Sequence, residues 1–308
     1  MSAATIVARQ HVRMLSRSHT FALMLGVLLV MTALSGYIGW SSHSTITRIY
    51  EETVRTLRAA GKPVPPNPFA TQPRLSLLNN MVIYLPLIGA LLAIVIGHMS
   101  ISEDRQAGVA RIIFTRPVRR SSYFWGKLVG STLAIASMMA ACLVLSVVTV
   151  SFINAAVPTS SELLRLALFY GLSGLYLLLF TLVGALGALL TRSRSMGLFA
   201  AVAVWVLVTF ATPQFTSGLR PVASLNPVTD PATISKSAFF RATSKLKPVA
   251  VNEQYKALSS RLLATGSSAD PGKTVTQVLP IVALTLLLSG WTYLLIRRHD
   301  YSEEAPRD

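Results

Sequence analysis

Acid and sulfur are scarce in this sequence. Its 308 residues include one cysteine, Cys142, and 12 Asp and Glu against 28 Lys and Arg. A single cysteine excludes a disulfide within the chain, and its place inside an apolar run marks it as a small hydrophobe. Charge of either sign is missing from six long apolar runs, at about 20–42, 77–99, 128–153, 166–191, 196–212 and 278–296. A bilayer core takes roughly 20 apolar residues per helix, about 17 at the least, so each run is read as a span. Proton- and ion-coupled carriers usually keep an ionisable side chain inside a span, where it costs roughly 2.5–3.5 kcal/mol on insertion scales. Uncharged spans disfavour that class, and any transport work must be driven from outside the chain.

Patterns for catalysis and for metal or nucleotide binding are missing too. The five histidines, His11, His19, His43, His98 and His299, lie in different segments without ligand spacing. Gly266 to Thr274 superficially resembles a phosphate-binding loop. Its glycines are one residue too far apart for GxxxxGK[ST], and no apolar strand leads into it. It is read as a turn. No cofactor is expected on this chain, and the chain is not expected to be an enzyme.

What the sequence does have is apolar mass and positive charge. Hydrophobic residues make up 52% and charged residues 13%, with a formal net charge of +16. That composition defines the membrane class. The basic residues are spread over loops between spans, without a nucleic-acid-reading motif, so they suit a surface of anionic lipid. The expected fold is an all-α membrane protein with six spans. Residues 1–19 form an interfacial helix and 20–308 the transmembrane domain. A signal peptide is the alternative for the N-terminus, but the run from Phe21 to Trp40 is too long for one.

Arg9, Arg13 and Arg17 recur at i, i+4, i+8 and share a stripe, with Val7, Met14 and Leu15 on the far side. Such a helix is expected to lie in the headgroup plane. Basic residues are denser in the short segments on the side of both termini, which places the termini in the cytoplasm and loops 43–76 and 213–275 outside. In the first outer loop Ile46, Ile49, Val54 and Leu57 form a stripe, and in the second Val251, Tyr255, Leu258 and Leu262 do. These stripes are expected to pack on each other as a cap, or to serve an extracytoplasmic partner protein or lipid.

The densest charge lies between the second and third spans, in Glu103–Lys127. On a helix Asp104, Gly108 and Arg111 share one face, with Val109 and Ile113 opposite, and Pro117 ends the helix. The alternative is a solvated loop that holds lipid headgroups.

These residues resemble the membrane subunit of ABC-2 type transporters. The matching positions are Asp104, Gly108, Ile112 to Phe114, Pro117, Val118, Arg120, Gly126, Lys127 and Gly130, with Gln106 and Val109 departing from the pattern. Ser224 to Val228, SLNPV, is similar to a motif of the permeases for nitrous-oxide-reductase maturation and gliding motility. The resemblance implies a permease in the bacterial inner membrane, dimerised with an identical or related subunit and bound to a separate ATPase that carries ATP and Mg. Coupling to that ATPase would fall to Glu103, Asp104, Gly108, Arg111, Arg116, Pro117 and Arg120. An amphiphilic or apolar export substrate fits the uncharged spans. A membrane scaffold that joins a cytoplasmic ATPase to an outer partner is the competing function.

Overall fold

A computed structural model describes residues 3–64, 73–106, 119–191, 193–217, 250–263 and 271–298. Among these, all regular structure is helical, and six helices are long and apolar enough to cross a membrane. The protein is an all-α membrane protein.

Helix α1, Ala3–Arg17, ends at Ser18, whose hydroxyl accepts the Phe21 amide and caps α2, His19–Ala59. A 3-10 turn, Arg74–Leu78, leads into α3, which runs through Met81–Tyr84, a π-turn at Leu85–Gly89 and Ala90–Gln106. Then come α4, Arg120–Asn154, and α5, Ser160–Leu190. The reversal between them turns on Ala155 in the left-handed region, φ 47°, and Thr159 with Glu162 closes a capping box on α5. Helix α6 is Arg194–Val206, carried on by a π-turn at Leu207–Ala211 and by Thr212–Ser217. Helix α7, Val251–Leu263, is short, and α8, Pro271–Arg298, is the last span.

The centre of the bundle is the α3–α5 pair. Gly97 lies against the backbone of Thr181, and Gly184 against the Ile94 carbonyl, so a Cβ on either glycine would collide with main chain. Lipid tails are as apolar as leucine, so spans associate through close packing of this kind. Around the pair, Phe169, Tyr176, Phe180, Leu85 and Ile94 are fully enclosed.

One expectation needs correction. The first outer helix is not a separate element: α2 continues through residue 43 without a break, because nothing between Gly39 and Gly61 stops a helix. At 1.5 Å per residue, 41 residues reach about 61 Å, twice the hydrocarbon thickness of about 30 Å. Helix α1 turns part of its surface to the bundle. Ala8, His11 and Leu15 are buried, and α1 packs along the start of α4, while Arg9, Arg13 and Arg17 face outward. The reason is a pair of glycines one turn apart. A Cβ on Gly126 would come within 2.6 Å of Val7, and one on Gly130 within 2.7 Å of His11.

Candidate coupling site at the α1 end of the bundle

The spans alternate, so α1, the end of α3, the start of α4, the end of α5 and the end of α8 meet at one end of the bundle. Ile101, Tyr123, Phe124, Ala185, Leu189 and Ile296 form a satellite core there. Within it sits a buried ion pair. Asp104 Oδ2 is 2.7 Å from Lys127 Nζ, and the two side chains are only 10% and 9% exposed. A carboxylate in the last turn of α3 meets the negative end of that helix's dipole. It is stable there because a cation and a phenol reach it: Tyr123 donates its O–H to the same oxygen at 2.7 Å.

Lysine has three N–H donors, and Lys127 has an acceptor for each. Besides Asp104 it reaches the Ser100 carbonyl at 2.8 Å and His11 Nδ1 at 3.5 Å. The cation leaves His11 only one workable tautomer, with Nδ1 accepting and Nε2–H donating to Ser131 Oγ at 3.2 Å. Burial and the neighbouring Lys127 lower the His11 pKa to about 3, so the imidazole stays neutral. A buried ion pair is favourable only when its remaining hydrogen-bonding capacity is met, and α1 supplies the last acceptor. The helix is therefore keyed to the pair by chemistry as well as by the Gly126–Gly130 groove.

Nearby, Arg120 Nη1 donates to the Arg297 carbonyl at 2.6 Å and caps the C-terminal end of α8. Asp104 and Lys127 bracket residues 107–118, so the pair fastens the two helix ends between which that segment runs.

Helical spacing predicts that Asp104 shares an outward face with Gly108 and Arg111. It is instead 8% exposed and engaged inside the chain, because Lys127 satisfies it there. Glu103 beside it is half-buried. Gly108, Arg111, Arg116 and Pro117 lie outside the described residues. His11, Ser100, Tyr123 and Ser131 complete the site without a motif in the sequence that marks them. Lys127 appeared in the sequence as a motif position without its partner.

Within one chain the two stripes of the expected cap face different neighbours. Tyr255 and Leu258 are 0% and 2% exposed, and α7 buries them against α5, α8, the start of α3 and the π-turn of α6. Their apolar surface is spent inside the bundle, with Leu262 half-buried at its edge. Ile46 and Ile49 remain exposed on the α2 extension, with Val54 and Leu57 half-buried, so this chain does not pair the two stripes.

Six helices of spanning length make the chain a multi-pass membrane protein. Residues 5–301 match the family described as ABC-2 family transporter protein. The chain belongs to that family, whose members are the membrane subunits of ABC transporters and work with an ABC ATPase. No curated protein matches the chain.

Proposed function

We propose that this chain is the permease of an ABC exporter in the bacterial cytoplasmic membrane, with both termini in the cytoplasm. It would work as a homodimer or a heterodimer with a related subunit. Two copies of a separate ATPase would hold ATP and Mg and seat against the segment from Glu103 to Arg120. The observation that carries this reading is the buried Asp104–Lys127 pair at the base of that segment. A push on the segment reaches α3 and α4 together because the pair fixes their ends to each other, and Arg120 passes it to α8. Helices joined in this way tilt as a unit, which supports a rigid-body opening of the passage between two permeases. Gly108, Arg111, Arg116 and Pro117 would meet the ATPase, and Asp104 would act from behind them as a positioning residue. Uncharged apolar runs favour an amphiphilic or apolar substrate. SLNPV at Ser224 to Val228 supports a place beside the nitrous-oxide-reductase maturation and gliding-motility permeases.

The test is ATP-driven movement of a fluorescent lipid in proteoliposomes that contain the permease and its co-purified ATPase. Wild type moves the lipid. Asp104→Asn keeps ATP hydrolysis and loses at least most of the movement. One observation favours a second function, a scaffold for an extracytoplasmic protein: α2 extends well past its apolar stretch with Ile46 and Ile49 exposed. ATP hydrolysis without movement of any amphiphile, together with a protein bound on that extension, would select the scaffold.

A further inference from the structure

Both π-turns of the bundle's spans lie at the end opposite α1, where α7 packs. A π-turn disturbs the i to i+4 ladder and occurs often at functional sites. Here carbonyls within the π-turns accept side-chain donors from other elements. Trp205 Nε1 donates to the Pro86 carbonyl at 3.1 Å, and Asn252 Nδ2 of α7 donates to the Thr209 carbonyl at 3.3 Å. Beneath α7, Tyr176 and Tyr255 stack with centroids 4.5 Å apart, and the Tyr255 hydroxyl meets Ser173 Oγ at 2.9 Å.

Under α7 the Tyr176 hydroxyl, the Thr209 hydroxyl and the Asn252 carboxamide oxygen are buried without a hydrogen-bond partner among the described residues. Tyr176 and Asn252 are fully enclosed and Thr209 is 3% exposed. Buried polar groups in folded proteins are nearly always paired, so orphans beneath one short helix point to a hydrogen-bonding ligand. The side chains that line the place, Ser173, Tyr176, Thr209, Asn252 and Tyr255, are all uncharged. Glu253 on α7 is turned to the Thr216 hydroxyl, which donates to it at 2.6 Å.

We propose that the surface beneath α7 is a binding site for the uncharged, hydroxyl- or amide-bearing head of an amphiphile, built on Ser173, Tyr176 and Thr209 and covered by α7 in this conformation. The inference rests on the exporter reading for its substrate and narrows it. Apolar tails suit the spans, and the head that this site accepts carries hydrogen-bonding groups and no charge. The charges on α7, Glu253 and Lys256, lie within Coulombic reach of each other, so an ionised head would meet an already offset pair and would lose its hydration.

The test uses Thr209→Cys in a Cys142→Ala background, in lipid nanodiscs, with the labelling rate by an impermeant maleimide as readout. Dodecyl maltoside should slow labelling about fivefold or more, the scale of one or two hydrogen bonds. Dodecyl sulfate and dodecyltrimethylammonium, with the same tail, should change it less than about twofold. Adding Tyr176→Phe should remove most of the maltoside protection. Equal slowing by all three heads, or none by maltoside, overturns the site. So does a cysteine that stays unlabelled at every temperature below unfolding. These arms need no nucleotide. If ATP fails to accelerate labelling while the head selectivity holds, the exporter reading has failed and the site stands.

Discussion

Removing one member of the Asp104–Lys127 pair should cost far more than removing both. The side chains are 10% and 9% exposed, and the pair is closed by Tyr123, the Ser100 carbonyl and His11. Asp104→Asn leaves an ammonium buried with only neutral acceptors. Lys127→Met leaves a carboxylate at the negative end of α3. Each should destabilise by about 3–5 kcal/mol, the range for a buried pair broken on one side. The double variant Asp104→Asn with Lys127→Met leaves no buried charge and should lie within about 1–2 kcal/mol of wild type, since neutral replacement of such pairs is often tolerated. The cycle should therefore show a non-additive term of about 3 kcal/mol or more, against about 0.2–1 kcal/mol for an exposed pair. The assay is equilibrium unfolding of the four purified proteins in one detergent, with lipid movement measured in parallel. Additive effects, or single variants that cost less than about 1 kcal/mol, would show that the two charges are solvated and refute the coupling geometry.

Three further outcomes follow from the same site. The His11 pKa is lowered from its usual 6.5 to about 3 when α1 is docked, so undocked α1 binds more protons below pH 6.5. Docking should weaken as pH falls from 6.5 toward 3, by about tenfold per unit once below 6.5, and be pH-independent above. A spin label at Arg13→Cys in a Cys142→Ala background should report it, and His11→Asn should flatten the profile. Gly126→Leu should detach α1, because its Cβ alone would press into Val7; protease release of an N-terminal fragment checks it, and an unchanged digestion pattern contradicts the groove. Ser44→Cys, on the exposed α2 extension, should react with impermeant maleimide in intact cells when Cys142 is replaced by Ala, and Ser121→Cys should not; the reverse pattern inverts the proposed topology.

Hydropathy made the spans legible because a lipid-facing helix must be apolar over its whole circumference. It located where lipid begins and not where helices end, which is why α2 runs on past residue 43 and why α4 starts at Arg120, eight residues before the apolar run. Those extra turns hold the site. Asp104 and Lys127 each fell just outside a run counted as uncharged, and nothing in a linear pattern ties residues 23 positions apart across a loop. The motif containing Gly126, Lys127 and Gly130 was visible, but its physical sense needed α1 in place: the glycines make room for Val7 and His11, and the lysine faces between them and Asp104. The stripe on α7 was read as apolar from Val251, Tyr255, Leu258 and Leu262. Periodicity found the buried face and undervalued its polar members, Asn252 and Ser259, since amphipathic patterns score polar residues as solvent-facing.

The central claim is that energy enters this permease from a separate ATPase through the segment that the Asp104–Lys127 pair anchors. The most direct measurement is affinity purification of the tagged chain from its native membrane in mild detergent, with the bound ATPase quantified and a bifunctional crosslinker placed at Arg111→Cys. The account predicts one ATPase chain per permease chain and a crosslink from position 111 to that ATPase. A permease that purifies without an ATPase yet still moves amphiphile, or an ATPase that crosslinks only elsewhere, would contradict it.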